Sequence, residues 1–126
     1  MTFDLDFDEA RNLMTVAAIG HVNKNARIES LRAARMDPRF RDDYRILCKF
    51  LDNKYVPDSA ECRQLGLTVS AFYRGQKVAL VVSKAELAKL KEGIAIFNTG
   101  RVDINVSSNL SSAKGWLLSR GEAIAA

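Results

Sequence analysis

From Arg45 onward, three short runs rich in β-branched and aliphatic residues, Arg45–Leu51, Lys77–Val82 and Val102–Val106, are each followed by a stretch with helical apolar spacing. Strands that alternate with helices predict an α/β sheet. The run KVALVV at Lys77–Val82 is apolar on both alternating faces, the pattern of a strand covered by layers above and below. A chain of 126 residues with 48% hydrophobic content supports one domain with a real core and needs no disulfide or metal to hold it.

The segment before Arg45 follows a different period. Phe3, Leu5 and Phe7 alternate with Asp4 and Asp6, and after Asp8-Glu9-Ala10-Arg11 a second β-like run covers Asn12–Ile19, so an antiparallel opening hairpin is predicted. Asn23 or Asn25 can cap a helix whose buried phase runs through Ile28, Leu31 and Arg35-Met36, ended by Asp37-Pro38. The loop 52–57 is long for a strand-to-helix link. Asp58-Ser59-Ala60-Glu61 fits a capping box, followed by Cys62, Leu65, Val69, Phe72 and Tyr73 at helical spacing, and Arg74-Gly75 stops that helix. Ser83-Lys84-Ala85-Glu86 fits a second box ahead of Leu87, Leu90, Ile94 and Phe97. A closing helix buries Leu110, Ala113 and Trp116-Leu117. The expected order is ββαβαβαβα, about five strands in a mixed sheet with about four helices. Residues 1–120 form the domain and 121–126 a frayed tail.

Charge is mildly basic overall, +4, and unevenly placed. Residues 1–23 carry Asp4, Asp6, Asp8 and Glu9 against Arg11. Residues 24–49 carry Lys24, Arg27, Arg32, Arg35, Arg39, Arg41, Arg45 and Lys49 against Glu29, Asp37, Asp42 and Asp43. The bases from Lys24 to Arg41 form a candidate surface for an anionic partner. Nucleic acid is disfavoured, because only Phe40 and Tyr44 interleave with them. The acidic N-terminus lacks the basic and apolar regions of a signal peptide and no apolar run approaches a membrane span, so a cytoplasmic protein is expected.

Motifs that would name a reaction are missing. There is no GxGxxG, P-loop or GxSxG pattern, and Cys48 and Cys62 have neither metal-site nor redox spacing. The single histidine, His21, excludes a multi-histidine metal site and lies beside Gly20 in a turn. Asp52 and Asp58 are explained by a strand-end turn and a helix cap. The expectation is a protein that is not an enzyme and carries no cofactor and no metal. In an open α/β sheet, ligands sit outside the carboxyl ends of the strands where strand order reverses, which directs attention to Asp52, Asp58-Ser59, Ser83-Lys84 and Ser107-Ser108.

The opening hairpin, the Asp37-Pro38-Arg39-Phe40 turn before a strand, the two further βα units and the Ala113-Lys114-Gly115-Trp116-Leu117 helix together resemble the SpoIIAA-like family, which is related to STAS domains and similar to lipid-transfer folds of the SEC14 kind. The resemblance implies a small α/β domain without catalysis that binds a nonpolar small molecule or meets an anionic membrane surface. Asp52, Phe72, Tyr73, Leu87, Leu90, Ile94 and Phe97 are then the pocket candidates. It also implies an alternative, a regulatory module that binds a protein partner and is switched by phosphorylation. Pro57-Asp58-Ser59 falls where STAS antagonists carry Asp-Ser-Ser-Gly, with Ser59 as the acceptor; Ala60 and Glu61 depart from that pattern. A second copy of the chain is a further partner considered.

Overall fold

A computed structural model describes residues 2–19, 23–50, 55–89 and 103–119. The order is β1 (Thr2–Asp8), β2 (Leu13–Ile19), α1 (Lys24–Met36), β3 (Arg45–Phe50), α2 (Ser59–Phe72), β4 (Lys77–Val82), α3 (helical residues 84–89), β5 (Asp103–Ser107) and α4 (Leu110–Leu118). This is the expected ββαβαβαβα arrangement, a five-stranded mixed sheet with four helices. The pocket candidates Asp52, Leu90, Ile94 and Phe97, the turn histidine His21 and the tail 121–126 lie outside the described residues.

The sheet runs β1-β2-β3-β4-β5, with β1 antiparallel to β2 and every later pair parallel. Asp8 caps a one-turn 3-10 link, accepting from Arg11 N at 3.3 Å, and Asn12 turns back at φ 51°, a left-handed position that asparagine tolerates. Strand order never reverses, so the crevice that a reversal would create is absent from this sheet. Crossovers of one hand that all step the same way put their helices on one face. Residues of α1, α2 and α3 accordingly pack with Met14, Val16, Ile46, Cys48, Phe50, Val78, Leu80 and Val82 in the larger core.

On the opposite face α4 crosses back over β3, β4 and β5, burying Ala113 and Leu117 against Leu13, Leu47, Ala79 and Val81. Covered from both sides, β4 is buried at five of its six positions, as its sequence predicts. Lys77, at the start of β4, reaches into that second layer, donating to Trp116 O at 2.8 Å and lying 4.4 Å from the Trp116 ring.

Helix α1 corrects the sequence reading. Asn23 is its cap, accepting from Ala26 N at 2.9 Å, yet the buried face is Arg27, Ser30, Leu31 and Ala34, and Met36 is 75% exposed. The helix is rotated from the expected apolar phase so that it buries a charge.

Candidate functional site

β2, β3 and β4 are parallel, so the carboxyl ends of β3 at Phe50 and β4 at Val82 lie side by side. Three helix starts crowd this edge. Arg27, in the first turns of α1, and Glu86, in the first turn of α3, meet over it in a doubly hydrogen-bonded ion pair, each side chain 1% exposed. Nη2 donates to Oε1 at 2.7 Å, and Nη1 donates to Oε2. The guanidinium also faces two rings, Phe50 at 5.0 Å and Tyr55 at 5.1 Å. A planar cation that fits a carboxylate fork along its edge and aromatic rings on its faces is a task for arginine, which lysine could not perform.

Beneath the pair lies a cavity of about 20 Å³, bounded by Leu31 of α1, Leu65 and Val69 of α2, and Phe50, Leu80 and Val82 of the sheet. That is room for one water-sized body between sheet and helices. Among the described residues the space at this edge is a small apolar void with a charged roof. Beside the roof, burial raises the ionisation of the Tyr55 hydroxyl above that of an ordinary phenol, and its interaction with the Glu61 carboxylate adds to the shift.

The second capping box is the feature the structure revises most usefully. Asp58 forms the complete box at α2: its side chain accepts from Glu61 N at 2.8 Å, and its own N–H donates to Glu61 Oε1 at 3.1 Å. At α3, Ser83 Oγ accepts from Glu86 N at 3.2 Å, but the Glu86 carboxylate turns to Arg27. The same four-residue pattern therefore gives a cap in one helix and half of a buried ion pair in the other.

The remaining candidates are dispersed. Tyr73 is fully buried and its hydroxyl donates to Leu31 O at 2.7 Å, while Phe72 and Leu87 are partly buried against the main core; none of the three borders the cavity. Arg27, expected among the surface bases, is the most deeply placed of them. Arg32 pairs with Glu29 at 3.5 Å, Arg39 with Asp37 at 3.0 Å and Arg41 with Asp43 at 3.2 Å, and Arg35 Nε donates to Phe72 O at 3.2 Å. Lys24 is half-buried at the start of α1. The bases thus do not form one uncompensated patch. Asp58 and Ser59 are exposed at the start of α2.

Both cysteines are free and buried. Burial lifts the Cys48 thiol to about 12 and pushes the Cys62 thiol upward as well, against any lowering by the start of α2. Among the described residues no cluster of three or more histidine, cysteine or carboxylate side chains could hold a metal ion, and no helix is long and apolar enough to cross a membrane.

The opposite, amino edge has an open groove of about 400 Å³ lined by Asp42, Asp43, Tyr44, Arg45, Gly75, Gln76, Lys77 and Asp103. Gly75, at φ 83°, makes the turn that brings Gln76 back under β3, where its Nε2 donates to Tyr44 O at 3.0 Å. Compared with known proteins, the chain matches no family model, no curated protein and no solved structure.

Proposed function

We propose that this chain is a non-enzymatic, SpoIIAA-like binding domain that takes a nonpolar small ligand at the carboxyl edge of β3 and β4. The observation that carries the reading is the apolar cavity roofed by the buried Arg27–Glu86 pair. An ion pair taken wholly out of water adds little stability over apolar residues of the same size, so its presence there suits a role other than stability. A ligand larger than the void enters by parting the first turns of α1 and α3 from the sheet. The pairing of Arg32, Arg39 and Arg41 with neighbouring carboxylates supports this ligand over an anionic membrane surface, because paired cations attract anionic headgroups weakly.

A second reading has its own observation. Ser59 is exposed at the first residue of α2, where a phosphate would meet the free N–H groups of a helix start, and it is the position that would switch a regulatory protein-interaction module. Glu61, in the same turn, opposes that added charge.

Native mass spectrometry of the freshly purified full chain, alone and with added 1-octanol, tests the ligand reading. The expected result is a bound nonpolar mass that diminishes in Val69→Leu, which adds a methylene beside the cavity. Unliganded masses throughout, with no octanol uptake, overturn it; partner capture that depends on Ser59→Asp then favours the switch.

A further inference from the structure

We infer, independently of the ligand reading, that β1 is a docking edge for an extended peptide whose side chains alternate apolar and basic, added to the sheet as a further strand. β1 closes the sheet on one side. It pairs with β2 alone, in an unbroken register from Thr2↔Ile19 to Asp8↔Leu13, and carries neither a proline nor a bulge. Its backbone N–H and C=O groups that point away from β2 meet no partner among the described residues. Such an edge is a template for one more strand unless it is blunted or covered.

The register fixes what that strand should carry. Phe3, Leu5 and Phe7 lie opposite Ala18, Val16 and Met14 and border the larger core, each only partly buried, so an apolar side chain set beside them extends that core outward. Asp4 and Asp6 lie opposite Ala17 and Thr15 on the other face, where α4 packs against β3, β4 and β5. Both are exposed, and neither takes part in an ion pair or a side-chain hydrogen bond among the described residues; Asp8, Asp37 and Asp43 each hold an arginine. Two unpaired carboxylates two residues apart on a strand match two cations spaced likewise on the next. The same charges count against a second copy of the chain. Antiparallel pairing of two β1 strands centred on Leu5 sets Asp4 of one copy against Asp6 of the other, and like charges directly opposed destabilise the pair. The chain as a whole carries +4, whereas residues 1–9 hold four acids and no base, so attraction of a basic peptide must be local to this edge.

The test titrates the full chain at pH 7 with two end-blocked peptides, Lys-Val-Lys-Val-Lys-Val-Lys and Glu-Val-Glu-Val-Glu-Val-Glu, following affinity by calorimetry and amide hydrogen exchange in β1 by NMR. The basic peptide should bind at least about tenfold tighter than the acidic one and slow exchange at alternate residues of β1, those whose N–H groups point outward. In Asp4→Asn combined with Asp6→Asn, that preference should shrink about fivefold or more. Equal affinity for the two peptides, tighter binding of the acidic one, or no binding of either up to about 1 mM overturns the inference. Binding of the basic peptide without added protection in β1 overturns strand addition. Protection that rises with protein concentration alone, together with dimer formation, makes a second copy the occupant and overturns it as well. An unchanged preference in the folded double variant overturns the role of the two acids. Because the wild-type comparison needs no substitution, the inference remains open to refutation even if the variant does not fold.

Discussion

The amino and carboxyl edges of the parallel strands use the same residue types, arginine, carboxylate and aromatic ring, in opposite surroundings. At the amino edge Arg39 lies 4.3 Å from the Phe7 ring and Arg41 4.6 Å from the Tyr44 ring, with Asp37 and Asp43 in reach, and both arginine side chains are open to solvent. At the carboxyl edge Arg27 makes the same kinds of contact with Glu86, Phe50 and Tyr55 out of water. Exposed pairs gain little, because water screens them and already solvates both charges. A buried pair is different in kind: each half is tolerable only while the other is present. The amino edge is therefore a surface decoration of the fold, and the carboxyl edge a place where removing or displacing one group has large consequences.

The sharpest way to break this comparison is to remove one carboxylate from each edge. Glu86→Ala should lower unfolding free energy by about 3–5 kcal/mol, whereas Arg27→Met combined with Glu86→Leu should recover most or all of that loss. Urea denaturation with a constant slope would check both; a small effect for Glu86→Ala would mean that water reaches the pair.

Cys48 separates burial from edge position. It sits in the middle of β3, and its thiol is lifted to about 12 by burial alone. The sign follows from linkage: the unfolded thiol ionises near its ordinary value of 9.0 while the folded one does not, so the Cys48 contribution is fully present below pH 9 and is lost progressively between 9 and about 12. The loss should reach roughly 4 kcal/mol at the top of that window by the usual conversion. Cys48→Val should flatten this alkaline limb in pH-dependent urea titrations, and a limb of unchanged slope would contradict the burial account.

The smallest effect belongs to the amino edge. The Asp37 carboxyl is held below its ordinary range by hydrogen bonds from the Arg39 side chain and backbone, with the Arg39 charge adding to them. Its contribution is present above the ordinary carboxylate range and disappears as pH falls through the depressed value. Asp37→Asn should leave the urea midpoint at pH 7 nearly unchanged and slightly reduce the steepness of acid unfolding. A midpoint shift as large as that of Glu86→Ala would erase the distinction between the edges.

Sequence pattern was most legible where one local rule decided the outcome. The KVALVV run is apolar on both faces, and β4 is buried on both; Asp58 with Glu61 forms the box that its spacing predicts. The pattern misled where a charged residue occupied a buried phase. Arg27 is in helical step with Leu31 and Ala34, but its type suggests surface, and the apolar residues alone point to the phase through Ile28, Leu31 and Arg35-Met36. Glu86 fits a capping box by its three-residue spacing from Ser83. An arginine in the apolar phase of one helix and a glutamate at the start of another are together the signal of a buried pair. What the sequence lacks is any local rule that joins two residues 59 positions apart. The cavity is likewise illegible, because it is a packing defect among five elements and no single motif encodes it.

A methyl-resolved NMR titration of the full chain with 1-octanol tests the central claim most directly. The account predicts saturable shifts at Leu31, Leu65, Val69, Leu80 and Val82, with the residues of the amino-edge groove unaffected. Shifts centred on Tyr44, Gln76 and Lys77, or no saturable shift anywhere, would contradict it.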